Sequence, residues 1–103
     1  MSKRLEMLQK LVDGGSTDPF AWYGLAMEQR SMGEREAARA TFRQLRERNP
    51  DYVPLYLMAA QVAVELGDHA DAREVAEAGL VAASKKGDSK AHHELETLLG
   101  GLP

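Results

Sequence analysis

Apolar residues recur along the chain at spacings of three and four, and no segment alternates as a strand would. Glycine and proline interrupt this pattern at Gly14-Gly15, Pro19, Gly33, Pro50, Pro54, Gly67, Gly87 and Gly100-Gly101, leaving helix-sized intervals. Leu5, Leu8, Leu11 and Val12 form one stripe of a first helix that ends at Gly14-Gly15. Asp18-Pro19 starts a second helix, because the carboxylate can accept from free amides and proline lacks only an N–H that would be unpaired there. That helix is expected to run to about Met32, with Leu25, Gln29 and Met32 in its core stripe and Trp22 and Ala26 near the boundary. A third, Glu34 to Arg48, buries Ala38, Phe42 and Leu45 and stops at Asn49-Pro50, since proline cannot continue the hydrogen-bond ladder.

The pattern continues with a fourth helix from about Tyr52 to Leu66 and a fifth after Gly67-Asp68, where Ala72, Val75, Ala76, Gly79, Leu80 and Ala83 make a face of small residues. A sixth, about Ser89 to Leu99, carries Ala91, Leu95, Leu98 and Leu99 and reads as a lid. Asp13, Asp18, Asp51, Asp68 and Asp88 all fall at predicted helix ends, where capping accounts for them. The expectation is an all-α protein of about six helices forming one domain.

Gly33 and Gly67 stand 34 residues apart, and a shift of 34 also places Trp22 on Tyr56, Ala26 on Ala60, Ala38 on Ala72 and Arg39 on Arg73. Each unit is a helical hairpin whose apolar face cannot be buried alone, so neighbours must stack. Trp22, Leu25, Ala26, Gly33, Ala38, Phe42, Leu45 and Pro50 resemble the tetratricopeptide repeat family, with Gln29 in place of that pattern's late tyrosine. In the second copy Tyr56, Ala60, Gly67 and Ala72 fit and Gly79 keeps a small residue, whereas Ala59, Ala63, Ala76 and Ser84 depart. The resemblance implies a short right-handed α-solenoid of antiparallel hairpins: a capping helix over residues 1–15, repeats over 19–52 and 53–86, and a second cap over 88–100.

The same resemblance implies a function. First helices of such hairpins line a concave groove that receives a peptide or helix of another protein. The matching positions here are Phe20, Tyr23, Met27 and Arg30, then Pro54, Leu57, Gln61 and Val64. The set is mostly apolar, which implies an apolar ligand surface, with Arg30 as a charged anchor able to fork onto a carboxylate. The Lys and Asn that clamp a C-terminal carboxylate in chaperone-binding members are absent, so that ligand is not carried over. Two alternatives stand beside this reading. Phe20, Tyr23 and Met27 can pack under the first helix and its loop, or a second copy of the chain can fill the groove as a homodimer.

Composition narrows the picture further. With 13 Lys plus Arg against 16 Asp plus Glu, the net charge of −3 gives no field for phosphates, so nucleic acid is not expected as a partner. Arg39, Arg43 and Arg46 share one face of the third helix, but Glu36 and Glu47 are interleaved and no aromatic accompanies them, so a solvated face with local ion pairs is expected. Cysteine is absent, which removes disulfides and thiol chemistry and fits a cytoplasmic protein. No run approaches the roughly 18 apolar residues of a membrane span. On the last helix only one of His92 and His93 can join Glu96, too few ligands for a metal. There is no Gly-rich phosphate loop and no nucleophile motif, so neither a cofactor nor an enzymatic activity is expected.

Overall fold

The computed structural model describes residues 2–103, which form six α-helices and, among the described residues, no strand. They are α1 (Lys3–Asp13), α2 (Pro19–Ser31), α3 (Arg35–Arg48), α4 (Pro54–Glu65), α5 (His69–Lys86) and α6 (Ser89–Gly100), each packed antiparallel-fashion on the next in sequence. No helix among the described residues is long and apolar enough to cross a membrane.

Local chemistry sets the helix ends. Asp18, Asp68 and Asp88 accept from the backbone amides of Phe20, Asp71 and Ala91, and Ser2 does the same for Leu5. Asp13 and Asp51 do not cap. Asp13 is the last residue of α1, at the negative end of the helix dipole, where it accepts from the Gln9 amide. Asp51 lies in the turn before α4, whose cap position is held by Val53 without a side-chain bond. That helix starts at Pro54, two residues later than expected from Tyr52, with the proline in the position that needs no N–H.

Gly33 and Gly67 adopt φ of 80° and 76°, a region closed to most side chains. This lets the following amides, of Glu34 and Asp68, reach back to the Gln29 and Ala63 carbonyls at 2.9 Å. The 34-residue period reaches the side chains as well. The Trp22 indole N–H donates to the Ser16 carbonyl at 2.9 Å, and one period later the Tyr56 hydroxyl donates to the Pro50 carbonyl at 2.6 Å. In this register α1 occupies the positions that recur as α3, and α6 those that recur from α4.

Alanine sets the spacing of the layers: Ala26, Ala38, Ala60, Ala63, Ala72, Ala76 and Ala83 have no exposed surface. Phe42, Leu25, Leu45, Leu55, Leu95 and Val62 fill the space around them. Two expected core residues are outside. Met32 is 46% exposed because α2 ends at Ser31 and the chain is already turning. Leu11 is 48% exposed because, among the described helices, α1 packs on α2 alone, which leaves Met7 and Leu11 exposed. At the other end Leu95 is fully buried, while Lys90, His93 and Thr97 are exposed where, one period earlier, Tyr56, Ala59 and Ala63 are buried.

The tightest approach is at Gly79. A Cβ there would lie 2.6 Å from the Tyr56 Cβ and 2.9 Å from a Leu95 methyl. In an unobstructed helix Gly→Ala gains about 1 kcal/mol, whereas forced overpacking costs about 1–3 kcal/mol. The obstruction includes a Cβ tied to backbone, so the second effect wins. Gly79→Ala is expected to lower the melting temperature; an unchanged or raised value in thermal denaturation would show that α4, α5 and α6 are not held at this distance.

Candidate functional site

Helices α2, α4 and α6 lie side by side, and their common face carries two adjoining clefts. The first, of about 230 Å³, is lined by Tyr23 of α2, Pro54, Leu57 and Met58 of α4, and Ala91 and Glu94 of α6. The second, of about 410 Å³, is bounded by Leu57, Gln61, His93, Glu94, Thr97 and Leu98. Leu57 and Glu94 belong to both, so the two form one trough. Tyr23, Leu57 and Ala91 are successive members of one 34-residue series, which is why three helices present them to one place. Another cleft, of about 550 Å³, runs between α1 and the end of α2, with Leu5, Gln9, Lys10, Gln29 and Glu34 in its wall. It touches neither α4 nor α6, and the repeated positions do not converge on it.

The eight residues singled out from sequence are not equivalent in space. Tyr23, Pro54, Leu57 and Gln61 line the trough, while Phe20, Met27, Arg30 and Val64 line neither cleft. Phe20 is 62% exposed, so it is not packed under α1. Tyr23 and Met27 are half-buried and rest on the main core. The Tyr23 ring meets Phe42 and Tyr52 edge-on, with centroids 6.2 Å and 5.7 Å apart. Burial raises the Tyr23 hydroxyl above the ordinary tyrosine value, partly countered by the Arg30 charge. Arg30 does fork onto a carboxylate, but it is the protein's own: its Nε and Nη2 donate to Glu65 at 3.2 Å and 2.7 Å, and Arg35 adds a third contact at 3.3 Å. Hydrogen bonding from Arg30 holds the Glu65 carboxyl below the usual range.

The arginines of α3 are not confined to local pairs. Arg39 bonds Glu36 one turn away but also reaches Asp68 at 2.9 Å, Arg43 approaches Asp71, and Arg46 forks onto Glu74 at 2.8 Å and 2.9 Å. Glu36 is the neighbour seen in the sequence; Asp68 at the cap of α5, and Asp71 and Glu74 within it, became partners only when stacking brought the second helices of two hairpins together. Hydrogen bonds from Arg46 and from the Asp71 amide hold Glu74 and Asp68, respectively, below the usual carboxylate range. His92 Nδ1 lies 3.2 Å from Glu96, and no group of three or more potential metal ligands occurs among the described residues.

Helix α6 supplies a wall of the trough that sequence reasoning overlooked by treating this helix as a lid. The signal was present: carrying the series Tyr23, Leu57 one period further gives Ala91.

A model of the tetratricopeptide repeat matches residues 29–99, most of the chain, and the chain belongs to that family. No curated protein matches it significantly. The crystal structure of a tetratricopeptide repeat domain protein from Salinibacter ruber is 32% identical, with a TM-score of 0.75 over 80% of this chain and 92% of that one. The solution structure of a Bordetella parapertussis protein is 25% identical, with a TM-score of 0.80 over 96% and 86%. The type III secretion chaperone SycD of Yersinia enterocolitica, solved with a peptide of the translocator YopD, shares the fold at 16% identity, TM-score 0.76, over 91% and 76%. The family is one of protein-interaction modules, typically without catalysis.

The ion pairs make acid sensitivity predictable. Glu65 and Glu74 have folded-state values below the ordinary one near 4.5. The folded protein therefore binds fewer protons than the unfolded chain, so this stabilisation is complete above that value and is lost as pH falls through the folded values. Each exposed pair contributes only about 0.2–1 kcal/mol. Below about pH 4.5 the melting temperature should fall, and in Arg46→Met it should fall less steeply; parallel curves for the two proteins would remove the Arg46–Glu74 pair from the account.

Proposed function

We propose that this chain is a non-catalytic cytoplasmic module that holds a peptide or helix of a partner protein along the trough of α2, α4 and α6. The observation that carries the reading is the convergence of Tyr23, Leu57 and Ala91, one period apart, on a single open cleft. Leu57 is only half-buried, and apolar surface left in a concave place is where association gains most. The peptide complex of SycD supports it, because the same fold presents a peptide-binding surface in that protein. In this reading residues 19–52 and 53–86 are the two repeats, and residues 1–15 and 88–100 cap the stack.

Phe20 and Val64 are exposed apolar residues outside the trough, and Arg30 is held by Glu65 rather than standing as a free anchor. Neither a cofactor nor a nucleic acid has a role in this reading: the apolar lining is interspersed with both acidic Asp88 and Glu94 and basic Lys90, which gives no uniformly positive surface for phosphates.

A random peptide library panned against the purified chain tests this, with Leu57→Glu as the variant. Tyr23 is unsuitable because its ring contacts Phe42 and Tyr52. Selected peptides should bind Leu57→Glu at least about tenfold more weakly, since a carboxylate would then face the apolar ligand, while circular dichroism keeps the parent's helical signature and the melting temperature falls only modestly, because Leu57 also rests on the core. Peptides that bind both proteins equally would rule out the trough. A tight dimer in sedimentation equilibrium that Leu57→Glu dissociates would instead assign the trough to a second copy.

A further inference from the structure

Glu94 stands at the centre of the trough, lining both clefts with Leu57. It is half-buried and, among the described residues, takes part in no hydrogen bond or ion pair. The other carboxylate lining these clefts is already engaged: Asp88 caps α6 by accepting from the Ala91 amide. Outside the trough, Glu65 holds Arg30 and Arg35. Lys90, one turn earlier on α6, lines the first cleft but forms no ion pair with Glu94.

Resting on the groove reading above, we infer that Glu94 makes the trough selective for peptides that place a lysine or arginine beside an apolar residue. A carboxylate against an apolar wall is partly deprived of water, so a cation there gains more than it would at an open surface. The aliphatic stem of a lysine or arginine can lie on Leu57 while its charged end meets Glu94. An acidic peptide would meet repulsion at the same point. The chain's overall charge of −3 acts in the same direction at longer range.

The closing experiment pans one peptide library against the parent chain, Leu57→Glu and Glu94→Lys. The parent is expected to enrich Lys or Arg next to an apolar residue, and Glu94→Lys to enrich Asp or Glu at the same place. A selected peptide whose Lys is changed to Gln should bind the parent about fivefold to tenfold more weakly and Glu94→Gln almost unchanged, the non-additivity expected of a direct pair. Peptides sensitive to Leu57→Glu but indifferent to Glu94 would overturn this inference and leave the groove reading standing. Failure to enrich any peptide sensitive to Leu57→Glu would remove both. Circular dichroism of Glu94→Lys checks that a lost preference is not a lost fold.

Discussion

Two helices can approach only as closely as the smallest side chains between them allow. Here alanine supplies the fully buried small positions of both hairpins: Ala26 and Ala38 at the first repeat's signature positions, Ala60 and Ala72 at the second's, with Ala63, Ala76 and Ala83 equally buried. Gly79 takes this to its limit, where α5 meets Tyr56 and Leu95 with no room for a methyl group. The remaining features depend on this spacing. It brings Arg39 and Arg46 within reach of Asp68 and Glu74 and sets α2, α4 and α6 close enough for one trough to form. Larger side chains at these places would splay the hairpins, and the ion pairs, worth little individually, could not draw them back.

The fold was legible in the sequence because its signals are local. Helix spacing, Asp-Pro and Gly boundaries and the 34-residue return of Gly33 at Gly67 are all visible within a few turns of chain. What eluded the reading involved contacts between distant segments. Leu11 has the right spacing for a core position, but no other described helix covers its face of α1. Asp51 resembles a cap but lies in the turn before Val53, which occupies that place. The acidic partners of the α3 arginines sit 28 to 32 residues away in sequence and could not be chosen among the many acids present.

The trough was half legible. Family position pointed to Tyr23, Pro54, Leu57 and Gln61, which do line it, but gave the same weight to Phe20, Met27, Arg30 and Val64, which do not. Position within a repeat specifies a face of a helix. It does not specify how far the next helix leans over that face, nor that Glu65 is near enough to engage Arg30. The omission of α6 has a different cause. Its polar Lys90, His93 and Thr97 conceal a third copy of the first helix, because they replace the residues by which such a helix is recognised.

Those three side chains also oppose further stacking on α6. A following hairpin would have to bury Lys90, His93 and Thr97 in place of Tyr56, Ala59 and Ala63, and stripping water from a charged ammonium without a partner is prohibitive. The opposite end carries no such barrier, since Met7 and Leu11 on α1 are apolar and uncovered. The array is therefore directional. An engineer lengthening it could graft new hairpins ahead of α1 onto an already greasy surface, whereas extension beyond α6 would first require rewriting that helix.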